Sequence, residues 1–358
     1  MIKKLNNLRS YFYFIPKFFF FLNFFNFNQK MKVRPYFGIY IKNSGGPNIR
    51  TKRLIKSFGN YLFNPNIIYA QSFWTFSEIK DAIKYSEKYN IPIIFNQNGV
   101  YYKGWYNGNI DEKNRLIALI QKKSKFIFFQ SNFCKESSIY FTKFKPRQYK
   151  ILYNSVPLPV YFKKKVKTKN VFNVLIAGYF NKKNIYILEP AINTFYTLTK
   201  KNILLPRLII YGLKIKILKK NLKKKIQYLI HNNRISIHSN YNIKNLKDIL
   251  KDIHVALHLK YKDPCPNAVL ERMHYGVPHI ISDTGGTPEL TGNSSINIKV
   301  KDSWERLIKV DEKKLYDAIL FAKNNYGLLK KRTYKQIRSF KWTNYIKEHK
   351  KIFLKYTK

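Results

Sequence analysis

Short runs of apolar residues, mostly β-branched or aromatic, recur along the chain between longer stretches in which apolar positions follow a helical period. Runs at 33–40, 67–72, 92–97, 125–131 and 149–154 read as buried strands, because a strand covered on both faces loses its in–out alternation and becomes continuously apolar. Each interval between them has room for a helix, and this alternation predicts parallel sheets with helices on their faces. Val156, Pro157, Leu158 and Pro159, followed by the Lys-rich stretch 163–170, break the periodicity and mark a linker. A second series of runs follows at 173–178, 207–212, 234–239, 254–259 and 278–283. The chain therefore reads as an α/β protein of two Rossmann-like, doubly wound domains facing a cleft, with ligands expected where the strands end. The expected layout is an extension over 1–31, an acceptor-side domain over 32–158, a linker over 159–170 and a second domain over 171–334. A basic amphipathic helix over 335–358 is expected to pack back across the body. No repeat of about 20 to 50 residues is visible.

Length and composition agree with two domains. The 358 residues exceed the roughly 250 to 300 that one core usually holds, and a hydrophobic content of 45% excludes wholesale disorder. The 68 Lys and Arg against 19 Asp and Glu give a formal charge of +49, which suits nucleic acid, anionic lipid or phosphorylated substrates. Lys, Asn, Ile, Phe and Tyr, whose codons are rich in A and T, are all abundant, while Arg, Ala and Gly are scarce. Codon drift onto solvated faces is thus an equal account of the charge, which alone selects no partner. Cys134 and Cys265 are the only cysteines and form no CxxC pair, so neither a disulfide framework nor a zinc site is expected, and a reducing cytoplasm fits.

Residues 1–31 carry Lys3, Lys4, Arg9 and Lys17 before an apolar run from Phe18 to Phe27. That run is shorter than the ~20 residues a membrane span needs, and no small-residue cleavage site follows. Two readings stand: a segment lying in the anionic headgroup region at the inner membrane face, or an extension packed on the body.

The stretch from Asp263 to Glu289 concentrates the chemistry. It reads as a strand ending near Lys260, a tight loop, a helix from about Pro266, a stop at Gly276 to Pro278, a buried strand, and a turn at Gly285 and Gly286. Pro suits a first helical turn, and the free N–H groups of Asn267, Ala268 and Val269 would form an anion site. Asp263 and Glu271 would border the same pocket and accept hydrogen bonds from vicinal sugar hydroxyls. Glycines at 285 and 286 let a neighbouring backbone approach closely.

Taken together these residues resemble the signature of the GT-B fold retaining glycosyltransferases of glycosyltransferase family 4, the "group 1" family. The acidic-x7-Glu spacing, Gly276 and Pro278, and the Gly285, Gly286, Pro288, Glu289 element carry that likeness. The resemblance implies a nucleotide diphosphate sugar as donor, with Glu271 on its ribose, Asp263 on its sugar, and Pro266, Asn267 and Ala268 receiving the sugar and diphosphate. Gly285, Gly286 and Glu289 would line the same site. Ser44, Gly45 and Gly46 are similar to the family's Gly-Gly loop beside the donor phosphates, and Leu175 to Gly178 to the strand that opens the donor domain. Gln130 to Cys134 and Leu152 to Val156 are similar to family segments leading into the interdomain connection.

Three departures accompany the likeness. The first acid is Asp where most relatives carry Glu, and Tyr179 stands where they place an Arg, leaving Lys182 and Lys183 to neutralise the leaving diphosphate or to be an ordinary solvated pair. All seven His lie at or beyond His231, so the His many relatives present from the N-terminal domain is absent, and Asn96, Gln97 and Asn98 hold that strand end. An amide positions a hydroxyl but cannot take its proton, which leaves the departing phosphate or a carboxylate as base. Asn98, Tyr101 and Trp105 face the acceptor side in this reading, the aromatics serving as a sugar platform or as core.

The expected activity is transfer of a hexose or similar residue, with retention, to a glycan or lipid-linked acceptor in cell-surface glycan synthesis. The expected catalytic set is Asp263, Glu271 and Lys183, with no metal and no cofactor, in a cytoplasmic or peripherally bound protein. A degenerate sugar-nucleotide binder and a nucleic-acid binder are the competing classes. The second explains the charge but not the Asp263 to Glu289 series, so nucleic acid is not an expected partner.

Overall fold

A computed structural model of the chain describes residues 32–39, 45–160, 171–201, 206–239 and 245–357. The expectations for 1–31, for Ser44 and for most of the linker fall outside the described residues.

The N-terminal half builds a five-stranded parallel sheet whose strands lie side by side in chain order: β1 (Pro35–Tyr36), β2 (Ile67–Gln71), β3 (Ile93–Gln97), β4 (Phe126–Phe129) and β5 (Tyr149–Ile151). The connecting helices are α1 (Gly46–Phe58), α2 (Phe76–Tyr89), α3 (Ile110–Lys123) and α4 (Asn132–Thr142). Thr75, Asn109 and Ser131 start the last three, each side chain accepting the backbone N–H three residues on; at Thr75 the Glu78 carboxylate completes a reciprocal box.

The second sheet holds β6 (Asn173–Ala177), β7 (Arg207–Tyr211), β8 (Ile235–His238), β9 (Val255–His258), β10 (His279–Ser282) and β11 (Ser295–Ile298), in the order β11-β10-β9-β6-β7-β8. Its helices are α5 (Leu188–Lys200), α6 (Lys220–His231), α7 (Leu246–Leu250), α8 (Asn267–His274), α9 (Thr287–Thr291), α10 (Glu312–Asn324) and α11 (Tyr326–Ile337). Succession runs outward from β6 in one direction and from β9 in the other, so a crevice opens above the ends of these two neighbouring strands, the place where a doubly wound sheet takes ligands. Every expected strand is present within a few residues. β11 is additional: its Ser295, Ile296, Asn297 and Ile298 alternate, as an edge strand does, and lack the apolar run that reveals the others.

The chain ends in α12 (Trp342–Tyr356), separated from α11 by a turn of 3-10 helix at Arg338–Phe340, so the stretch from 335 is not one helix. Its place follows from the N-terminal topology. Parallel neighbours joined in order by crossovers of one hand put their helices on one face, and α2, α3 and α4 accordingly bury Ile68, Ala70, Phe95, Ile127 and Phe129 together. The other face, with Ile67, Tyr69, Ile94, Phe126 and Phe128, is covered by Tyr345, Ile352 and Phe353 of α12 together with Leu54 and Phe58 of α1, which joins β1 to β2 but departs from the rule by lying on this face.

Candidate functional site

The loop leaving β9 crosses the crevice and enters α8. Asp263, in that loop, is 8% exposed. Its Oδ2 accepts from Lys260 Nζ at 2.9 Å and faces His258 Nε2 at 3.5 Å. Burial alone would raise its pKa, but Lys260 and His258 outweigh burial and hold the carboxyl well below the usual range. Gly285 and Gly286 shape this loop from beneath. A Cβ on Gly285, whose φ is +75°, would meet the Asp263 backbone at 2.5 Å, and the Gly286 N–H donates to the Asp263 carbonyl at 2.8 Å. The two glycines therefore touch the loop that carries the acid.

Pro266 is the N-cap of α8, so the helix begins one residue after the expected start, and the Val269 N–H is already used on the Pro266 carbonyl at 3.2 Å. Asn267 and Ala268 are left as the free N–H groups of the first turn. The Asn267 side chain reaches across the cleft, Nδ2 donating to the Gly46 carbonyl at 3.3 Å while its buried Oδ1 has no partner among the described residues. The Gly45–Gly46 loop and the start of α8 thus face each other. One turn further on, Glu271 is 6% exposed, and its Oε1 is paired with Arg53 Nη2 of α1 at 3.0 Å. Burial raises the Glu271 pKa, and Arg53 offsets this only in part.

Other bonds span the cleft. Ser131 Oγ donates to the Pro264 carbonyl at 2.7 Å, and Asn154 Nδ2 to the Cys265 carbonyl at 2.8 Å. The Glu289 carboxylate caps α4 from the opposite domain. It accepts from the N–H groups of Asn132 and Phe133, each at 2.8 Å, and from Tyr153 Oη at 2.9 Å and Asn132 Nδ2 at 3.0 Å. A carboxylate so placed complements the dipole of a helix start. Trp304, from the loop after β11, stacks on Phe133 and sits edge-on to Tyr102, and its carbonyl accepts from the Gly104 N–H at 2.9 Å.

The remaining expected residues scatter more. Gly178 directly follows β6 at the crevice, with Tyr179 beside it 80% exposed. Lys182 and Lys183 are exposed in the turn beyond. Asn98 lies at the end of β3 and accepts from Arg50 Nη2 at 2.6 Å. Arg50 is itself 1% exposed and is held also by Gln71 and Asn154. Tyr101 and Trp105 stack at 5.3 Å, and Trp105 keeps 41% of its surface exposed. The arrangement offers two buried carboxylates, a helix start and a glycine loop around one crevice, a set that can hold a polyhydroxylated, anionic molecule. Among the described residues no group of three or more His, Cys, Asp or Glu could hold a metal ion.

Arg50, Arg53, Arg272 and Trp304 escape the sequence reading. The only signal available was basic residues soon after Gly45 and Gly46 and a charged residue directly after Glu271 in an otherwise apolar turn.

Comparison with known proteins agrees with this geometry. Residues 161–319 match the family model of Glycosyl transferases group 1. Anabaena HepE, solved with UDP-glucose, superimposes with a TM-score of 0.65 at 12% identity, covering 88% of this chain and 97% of that one. The sucrose-phosphate synthase of Thermosynechococcus elongatus gives 0.60 at 13% identity over 86% and 77%. A glycosyltransferase from Rickettsia africae gives 0.59 at 13% identity over 89% and 84%. At such identities the likeness shows the fold, which is GT-B. No curated protein matches the sequence.

Proposed function

We propose that the chain is a retaining glycosyltransferase of family 4 that moves a hexose or similar sugar from a UDP-linked donor to an acceptor hydroxyl held by the N-terminal domain. The observation that carries the reading is the convergence of Asp263, the α8 start and Glu271 on the β6–β9 crevice opposite Gly45 and Gly46. The matched group 1 domain over 161–319 and the UDP-glucose bound by HepE support the choice of donor.

Glu271 would exchange Arg53 for the two ribose hydroxyls. The N–H groups of Asn267 and Ala268 would meet the diphosphate, and Asp263, kept ionised by Lys260, would accept from hydroxyls of the donor sugar. In the transfer step the bond between the anomeric carbon and the diphosphate oxygen breaks with its electron pair leaving on the phosphate. The acceptor oxygen attacks from the same face, and its proton passes to that phosphate oxygen. No His stands in the N-terminal half to take it.

The test is differential scanning fluorimetry with UDP, GDP, ADP and CDP, followed by NMR of the product anomer formed with UDP-sugars. Selective stabilisation by UDP, about 2.7 kcal/mol at ~100 times its dissociation constant, and a product of unchanged anomeric configuration are expected. Stabilisation by single-stranded DNA alone would turn the reading to nucleic acid. The acceptor we infer is a lipid-linked glycan precursor at an anionic inner membrane face, which gives the +49 charge a purpose. No described helix is long and apolar enough to cross a membrane. Association is therefore expected to be salt-sensitive pelleting with phosphatidylglycerol vesicles, and a protein that stays in the supernatant at low salt contradicts it.

A further inference from the structure

A buried cation sits where the second sheet reverses its strand order. Arg272, on α8, is 1% exposed. Its Nη2 donates to the carbonyl of Ala177, the last residue of β6, at 2.7 Å, while Nε and Nη1 are buried with no partner among the described residues. Its charge also bears on both flanks of the crevice, opposing protonation of His258 at the end of β9 and favouring the ionised form of Glu271. Neither nearby carboxylate is bonded to it, since Glu271 is held by Arg53 and Asp263 by Lys260. A guanidinium buried without a counter-ion costs several kcal/mol unless something brings negative charge to it. Next to the accepting carbonyl, Gly178 is open on its side-chain face, where a Cβ would meet only Phe180, at 3.9 Å.

We propose that Arg272 supplies the fixed positive charge for the donor diphosphate, acting through space from inside the helix–sheet interface beneath the end of β6, since the Gly178 N–H is itself spent on the Tyr211 carbonyl at 3.1 Å. The inference rests on the proposed UDP-sugar donor and deepens it. Residues nearer the surface are poorly placed for this role: Tyr179 is neutral and exposed, and Lys182 and Lys183 are solvated, so their charges are screened. A cation locked in a low-dielectric setting stabilises charge developing on the leaving phosphate without having to reorganise. Because it touches the backbone and not the reacting atoms, Arg272 is a positioning residue.

Isothermal titration with UDP, pyrophosphate and uridine tests this on the wild type, Arg272→Gln, Arg272→Lys and the Lys182→Ala/Lys183→Ala pair. Gln removes the charge and, being two bonds shorter than Arg, also the Nη2 bond to the Ala177 carbonyl, whereas Lys keeps the charge, so the two variants are read together. The ratio of UDP to uridine affinity should fall by about ten- to a hundredfold in Arg272→Gln, with uridine affinity kept. Arg272→Lys should retain most of the ratio, and it decides the matter if the Gln variant does not fold: a ratio lost there overturns the proposal. An unchanged ratio in folded Arg272→Gln overturns it too, as does a ratio lost only in the lysine pair. If the wild type binds neither UDP nor pyrophosphate, the donor reading itself falls, an outcome distinct from the others.

Discussion

Glu271→Ala is expected to abolish the response to UDP and also to lower the stability of the unliganded protein. Two hydrogen bonds from ribose hydroxyls to a carboxylate are worth about 1.5–3 kcal/mol each, so their loss weakens binding by more than about a hundredfold. The second effect has a separate cause: removal of Glu271 strands the Arg53 guanidinium, whose side chain is 15% exposed, and breaking a buried pair in this way costs about 3–5 kcal/mol. Adding Arg53→Ala removes the stranded charge. The double variant should therefore recover most of the stability while remaining blind to UDP, and thermal melts with and without UDP separate the two effects. A UDP response retained in Glu271→Ala would take the ribose away from this residue, and a double variant no more stable than the single one would show that the pair contributes little.

Acidification below about pH 6.5 is expected to lower the stability of the protein markedly. His349 is fully buried, between Tyr69 Oη at 2.9 Å and the Tyr345 carbonyl at 2.9 Å, and burial lowers its pKa from 6.5 to about 3. His279, 1% exposed, is lowered well below 6.5, chiefly by burial and further by Arg272. The unfolded chain takes up these protons near pH 6.5 and the folded chain does not, so stability is full above that value and is lost as pH falls through the window beneath it. At pH 5 His349 alone costs about 2 kcal/mol, and His279 acts in the same direction. Asp263 does not share the effect, because its lowered pKa keeps its contribution intact through the same window. Urea melts at pH 7.5 and pH 5 read the difference directly, and equal midpoints would contradict it.

Much of this architecture is legible in the chain because a parallel sheet covered on both faces writes its strands as unbroken apolar runs. Val174, Leu175 and Ile176 are such a run, and they sit at the centre of their sheet. β11 escapes for the converse reason: an edge strand has one exposed side, and its Ser295 and Asn297 look like loop. The site divides the same way. Asp263, Asn267 and Glu271 are close in sequence on one loop and helix, so their grouping is visible, and the structure brings them to one crevice. Arg53 is 218 positions from the Glu271 it pairs with, a separation that no local pattern spans. Glu289 shows the limit within a motif, since its spacing places it beside the crevice while the turn at Gly285 and Gly286 aims its carboxylate at the start of α4.

The covering of the N-terminal sheet by α12 has a consequence for how the molecule is made. Translation delivers the chain from its N-terminus, and most domains fold as they emerge. Here Phe128, Tyr69 and their neighbours must wait for Tyr345, Ile352 and Phe353 before that face is closed. The first half to leave the ribosome is thus the last to be finished, with an aromatic surface open to chaperones and to other nascent chains until the final helix docks. A ribosome that stalls or terminates just short of Trp342 would release a protein whose second domain is complete and whose first cannot mature.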